Sequence, residues 1–204
     1  MKKRLARVLV GGMLGLAVLF GGGAGYVLSG IHDVAATGRE PGALAWVLGT
    51  TMERSVARRA RGVALPPDLA DRARALRGAA HFEEMCAVCH GAPGVEAGEI
   101  GAGLNPRAPE LSNEAGEWNE HELFWIMKHG VRMTGMPAFG TTHGDAELWD
   151  MVAFVRLLPG MTPAQYREWL DAARPAGAED AAPAGHTHSP AGHTHAPGTP
   201  PHSH

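Results

Sequence analysis

Cys86-Ala87-Val88-Cys89-His90 is the stretch on which the fold of this chain turns. Two thiols separated by two residues, with an imidazole directly after the second, form the attachment signature of a c-type haem. On one helical turn the two sulfurs project far enough apart to reach two vinyl-derived carbons on one edge of a porphyrin. The next side chain is then aimed beneath the ring, where it can ligate iron. Cys86 and Cys89 are the two cysteines of the chain, so neither is needed for a disulfide elsewhere. A dithiol redox site would sit between a strand and a helix, and a structural zinc site would need further ligands nearby. Neither context surrounds this pentapeptide.

Working outward, three helices are predicted around it. The first runs from about Asp68 to Cys86, with Asp68 and Asp71 suited to its positive N-terminal end. The second runs from about Asn119 to His129 and stops at Gly130, and the third runs from about Asp145 to Leu158, before Pro159-Gly160. Residues 91–118 are rich in Gly and Pro and show no alternating apolar pattern. The fold class is therefore all-α, with a core so small that a covalently bound porphyrin must supply much of its apolar surface.

The face of the iron opposite His90 needs a second ligand or an opening. Gly135-Met136-Pro137-Ala138-Phe139-Gly140 lies between the second and third helices. A thioether is a soft, neutral ligand that favours ferrous iron and raises the potential, and Pro137 stiffens the backbone beside Met136. Met133, three residues earlier, is the competing thioether, and His129 and His143 are the competing imidazoles. Met151 and Met127 read as core filler.

The ends of the chain have their own character. Lys2, Lys3, Arg4 and Arg7 precede an uncharged apolar run over residues 8–28. At about 1.5 Å per residue that run spans roughly 30 Å, the thickness of a bilayer core. The positive-inside rule puts the N-terminus in the cytoplasm and the rest of the chain outside. A cleaved signal peptide, with Gly23-Ala24-Gly25 as its small-residue site, is the alternative to a retained anchor. The expected organisation is residues 1–30 as basic end and transmembrane helix, and 31–67 as a connecting segment. A haem domain follows over 68–170, then a disordered tail over 171–204. Within the connecting segment, residues 43–61 form an amphipathic helix with Arg54, Arg58, Arg59 and Arg61 late in it. That helix suits the lipid interface with Trp46 as its anchor, the surface of the haem domain, or a partner subunit.

The tail is dominated by Pro, Ala, Gly, Thr and His, and repeats Ala-Gly-His-Thr-His. His186, His188, His193, His195, His202 and His204 are half of all the histidines, and paired imidazoles on a tether suit a divalent or cuprous ion. Charge is uneven. Residues 1–80 carry twelve Lys/Arg against five Asp/Glu, while residues 81–170 carry five against thirteen. An acidic haem region favours basic docking surfaces and argues against nucleic acid as a partner.

Taken together, the pentapeptide, the Met-Pro loop and the flanking helices resemble a class I monohaem cytochrome c of the bacterial membrane-anchored kind. They are similar also to the cytochrome c domains of terminal-oxidase subunits. Gly78 and Phe82 stand where that family has the glycine and aromatic of its helix crossing, and Met151 and Phe154 match their partners on the last helix. The resemblance implies one covalently bound haem c, held through Cys86 and Cys89 and ligated by His90 and Met136. It also implies a proline carbonyl, of Pro106 or Pro109, accepting the proton of the ligand histidine. The implied activity is single-electron transfer between a donor and an acceptor protein at the periplasmic face of the inner membrane, without catalysis. Two other readings remain: a haem subunit of a larger membrane oxidoreductase, and a copper- or nickel-responsive protein that uses its histidine tail.

Overall fold

The computed structural model of the chain describes residues 2–38 and 42–174. Among these, no residue lies in a named strand, and the one β-like pairing is an isolated antiparallel bridge between Ala92 and Val95. The described residues adopt the expected all-α class.

Helix α1 (Lys2–Ser29) is exposed over its whole described length and is long and apolar enough to cross a membrane. α2 covers Gly42–Ala60, within a residue of the amphipathic helix expected there. Its second half is the part that buries side chains against the rest of the chain: Val56 and Ala60 are buried, and the element packs on α7 (Glu120–His129). The His121 ring, 2.7 Å from the Val63 carbonyl, ties the segment after α2 to α7. Of the three placements open for this helix, its C-terminal half takes the surface of the domain.

α3 spans Arg72–His81, capped by Asp71, whose carboxylate accepts from the Ala73 amide. The helix expected from Asp68 to Cys86 is thus shorter at its start and changes character near its end. Residues Phe82–Cys86 form a π turn, in which the Ala87 amide reaches back five residues to the Phe82 carbonyl. α4 (Ala87–His90) completes the attachment pentapeptide. Short turns α5 (Glu99–Ala102) and α6 (Leu111–Glu114) follow in the Gly/Pro-rich region. α7 begins with a capping box, Asn119 accepting from the Glu122 amide and Glu122 from the Asn119 amide.

The core forms where α3 crosses α8 (Asp145–Val155). A Cβ on Gly78 would stand 1.9 Å from the Asp150 carbonyl oxygen and 3.0 Å from Phe154 Cβ, so only hydrogen fits at the crossing. Phe82 and Phe154 are both fully buried there, with ring centroids 5.6 Å apart. α9 (Pro163–Ala173), a helix the sequence reading did not place, closes this cluster. Its Tyr166 ring lies 6.2 Å from both Phe82 and Phe154, and its hydroxyl donates to Glu83 in the π turn. Burial and the Glu83 carboxylate push the Tyr166 hydroxyl well above its ordinary pKa.

Beside Gly78 lies Asp150, at 5 % exposure a buried carboxylate. It accepts from Arg74 at 2.6 Å and from Arg77 Nε at 2.7 Å, both guanidinium groups coming from α3. Arg74 also reaches Asp68 at 2.8 Å and the Ala146 carbonyl at 3.1 Å. A charge-assisted cluster therefore sits at the same crossing as the aromatic one.

Candidate functional site

The pentapeptide is presented by the π turn and α4. Cys86 is 8 % exposed, while Cys89 and His90 are half-buried. As a free thiol Cys86 would hold its proton tightly: burial, with a smaller contribution from Cys89, pushes it up to about 12. The chain turns away sharply at Gly91, whose amide bonds the Ala87 carbonyl. Gly98 then returns to donate to the Val88 carbonyl at 3.0 Å, which brings α5 against the attachment turn.

His90 Nδ1 lies 2.8 Å from the Pro109 carbonyl oxygen. A carbonyl can only accept, so the contact fixes the N–H on Nδ1 and leaves Nε2 with a free lone pair. Of the two prolines open to that role, the geometry picks Pro109. Burial holds the His90 pKa below the ordinary histidine value, partly offset by the Pro109 bond and the Glu114 charge. A neutral imidazole with one nitrogen engaged and the other available is the form a metal ligand must take.

Met136 and Met133 share a loop but not an environment. Met136 is half-buried and packs against the core, whereas Met133 is 81 % exposed and sits at φ 62°, in the left-handed region. The loop is pinned at its base. The Val131 amide donates to the Met136 carbonyl at 3.2 Å, and the Met136 amide donates to Thr134 Oγ1 at 3.1 Å. Gly130, at φ 63°, lies so close to Pro137 that a Cβ would stand 2.7 Å from the Pro137 carbonyl carbon. Phe139, half-buried against the core, closes the far side of the loop.

What joins the pentapeptide to the methionine loop is the stretch from α5 to Asn105, which the sequence reading left as irregular. A Cβ on Gly101 would stand 2.8 Å from Cys89 Cα, and one on Gly135 would stand 2.4 Å from a Leu104 methyl. The chain from Gly101 to Leu104 therefore bridges the attachment turn and the methionine loop by direct contact. Glycines at 98, 101 and 103 were the available signal for such close approach.

The competing imidazoles have other company. His129 ends α7 with its ring 4.8 Å from Trp125. The His143 ring lies 5.8 Å from both His81 and Phe139, with Nδ1 2.8 Å from Thr142 Oγ1. Among the described residues no group of three or more His, Cys, Asp or Glu is arranged to hold a metal ion. The metal site expected at His186, His188, His193, His195, His202 and His204 lies outside the described residues.

The donor set suits a covalently held porphyrin. Two thiols stand on one turn, an imidazole offers Nε2 while its other nitrogen is fixed, and a thioether is held half-buried in a pinned loop. Residues 73–155, less than half of the chain, match the family model described as cytochrome c oxidase, cbb3-type, subunit III. No curated protein matches the chain.

Proposed function

We infer from the c-type cytochrome domain of the terminal-oxidase type over residues 73–155, which carries covalently bound haem c, that this protein is a membrane-tethered carrier of single electrons. The haem supplies reversible one-electron chemistry at iron. The residues around it hold, orient and shield. Cys86 and Cys89 form the two thioether links. His90 would supply the imidazole ligand to iron, its ring oriented by the Pro109 carbonyl. Met136 would supply the thioether ligand, from a loop pinned at its base that would limit the rearrangement a transfer requires.

The observation that carries this reading is the His90 to Pro109 bond, which frees Nε2 in the residue that directly follows the second thiol. Met136 is supported over Met133 by its contact with the core and by the exposure of its rival. With His90 and Met136 both engaged by iron, no position would remain open for a substrate, which favours transfer over catalysis. α1 serves as the anchor, with its basic end on the cytoplasmic side and the haem domain on the periplasmic side. The electron donor and acceptor are then proteins of the same membrane system, met through brief contacts of modest area.

The test is a Met136→Ala variant of the full haem-loaded protein. It should lose the ferric near-infrared charge-transfer band of a thioether-ligated iron and show a lowered reduction potential, while Met133→Ala keeps both. An unchanged band in Met136→Ala, or its loss in Met133→Ala, would sink the assignment.

A further inference from the structure

The first two turns of α2 leave most of their apolar surface uncovered. Gly42-Ala43-Leu44-Ala45-Trp46-Val47-Leu48-Gly49 contains no charged or polar side chain, and its residues 42–48 are all exposed, with Trp46 at 70 %. Beyond them the helix becomes polar and settles on α7. A helix apolar on every side is stable only when something apolar surrounds it, and the domain covers little of these turns.

The chain between α1 and α2 says what can cover them. It is short, and it is fastened. Asn105 Nδ2 donates to the Ala36 carbonyl at 3.0 Å and to the Gly38 carbonyl at 2.8 Å. The segment leaving α1 is thus clipped to the very stretch, Gly101 to Asn105, that bridges the attachment turn and the methionine loop. The same groove is lined by Ala45 of α2. The start of α2 and the end of the clipped segment therefore lie together, a few residues from the apolar helix α1.

We propose that residues 42–49 insert into the lipid interface beside α1, seating the haem domain on the membrane with its Leu104–Asn105 edge toward the bilayer. This rests on α1 being a retained anchor. Two turns of helix rise about 11 Å, enough to carry Trp46 into the headgroup boundary where its amphipathic ring is favoured. Asn105 joins that seat to the haem site, so the domain meets the membrane in one orientation. Its redox partner is then a protein of the same membrane rather than one arriving from any side.

The test uses the full haem-loaded protein in vesicles of phosphatidylethanolamine and phosphatidylglycerol, doped with a phospholipid bearing a diazirine in its acyl chain. After illumination, lipid adducts are mapped by mass spectrometry. Adducts on α1 and on residues 42–49, with few on 50–60 and on the haem domain, are the expected result. A Trp46→Glu, Leu48→Glu double variant with an unchanged haem spectrum should lose the adducts on 42–49 severalfold and keep those on α1. Adducts on α1 but not on 42–49 overturn the seat and leave the anchor standing, as they would if a second copy or a partner protein covered these turns. Adducts on neither overturn both, and equal labelling of 42–49 in the double variant overturns the seat.

Discussion

Asp150 shows how one side chain can hold two helices at a fixed angle. Its carboxylate accepts from Arg74 and Arg77 across the α3–α8 crossing while being almost wholly out of water. The two guanidinium groups differ in what their loss would leave behind. Arg77 has a side chain 57 % exposed and can rehydrate, whereas Arg74 is 11 % exposed and also bonds Asp68 and Ala146. Removing the shared carboxylate leaves the buried Arg74 with the half-exposed Asp68 as its remaining carboxylate partner. Asp150→Ala should therefore cost about 3–5 kcal/mol of stability, and Arg77→Ala about 1 kcal/mol or less, both read from denaturant midpoints of the haem-loaded protein. Equal losses in the two variants would mean that Asp150 is not the hub. The exposed position of Met133 carries a related lesson. Spacing offered two thioethers in one loop; Pro137 favours Met136, and burial separates them further.

At the level of elements, the crossing of α3 and α8 is decided by the absence of one methyl group. Gly78→Ala would drive a Cβ into the Asp150 backbone, and because backbone cannot swing aside the helices must part. The expected loss is about 1–3 kcal/mol or more, seen as a lowered thermal midpoint and a reduced yield of haem-loaded protein; an unchanged midpoint would refute the close approach. α9 makes a second test. Tyr166→Phe removes only the hydroxyl that bonds Glu83 and should cost about 1 kcal/mol. Tyr166→Ala also empties the place beside Phe82 and Phe154, and should cost about 3–5 kcal/mol. If the two variants are alike in thermal midpoint, the aromatic contact contributes nothing. Much of this architecture was legible beforehand. Asn119, Gly130 and Gly144-Asp145 bound their helices as written, because caps act within a few residues. The start of α9 is encoded just as locally: Thr162-Pro163-Ala164-Gln165 is a capping box with proline at the first helical position. The choice of Pro109 over Pro106, the Asp150 cluster and the contacts of Gly101 with Cys89 were not. Each joins residues far apart in sequence, and no local pattern encodes which distant atoms meet.

For the molecule as a whole, charge and attachment set how it meets others. The thirteen acidic against five basic residues over 81–170 predict a rate of electron exchange with a basic redox protein that falls as salt is raised. Stopped-flow mixing across ionic strengths checks this, and a flat or rising rate would exclude an acidic docking face. Attachment sets the reach. From Ser29, the last residue of α1, to Ala36, the first carbonyl held by Asn105, the chain makes seven Cα steps and spans at most about 25 Å. A domain of about 100 residues has a radius of gyration near 13 Å, so this leash is no longer than the domain is wide. With α1 retained as an anchor, the domain would search a plane rather than a volume. Its encounter rate then scales with how many partners share each unit of membrane area and how fast they diffuse sideways. Swelling or shrinking the surrounding compartment would leave that rate unchanged. Lengthening the leash at Gly30 would not.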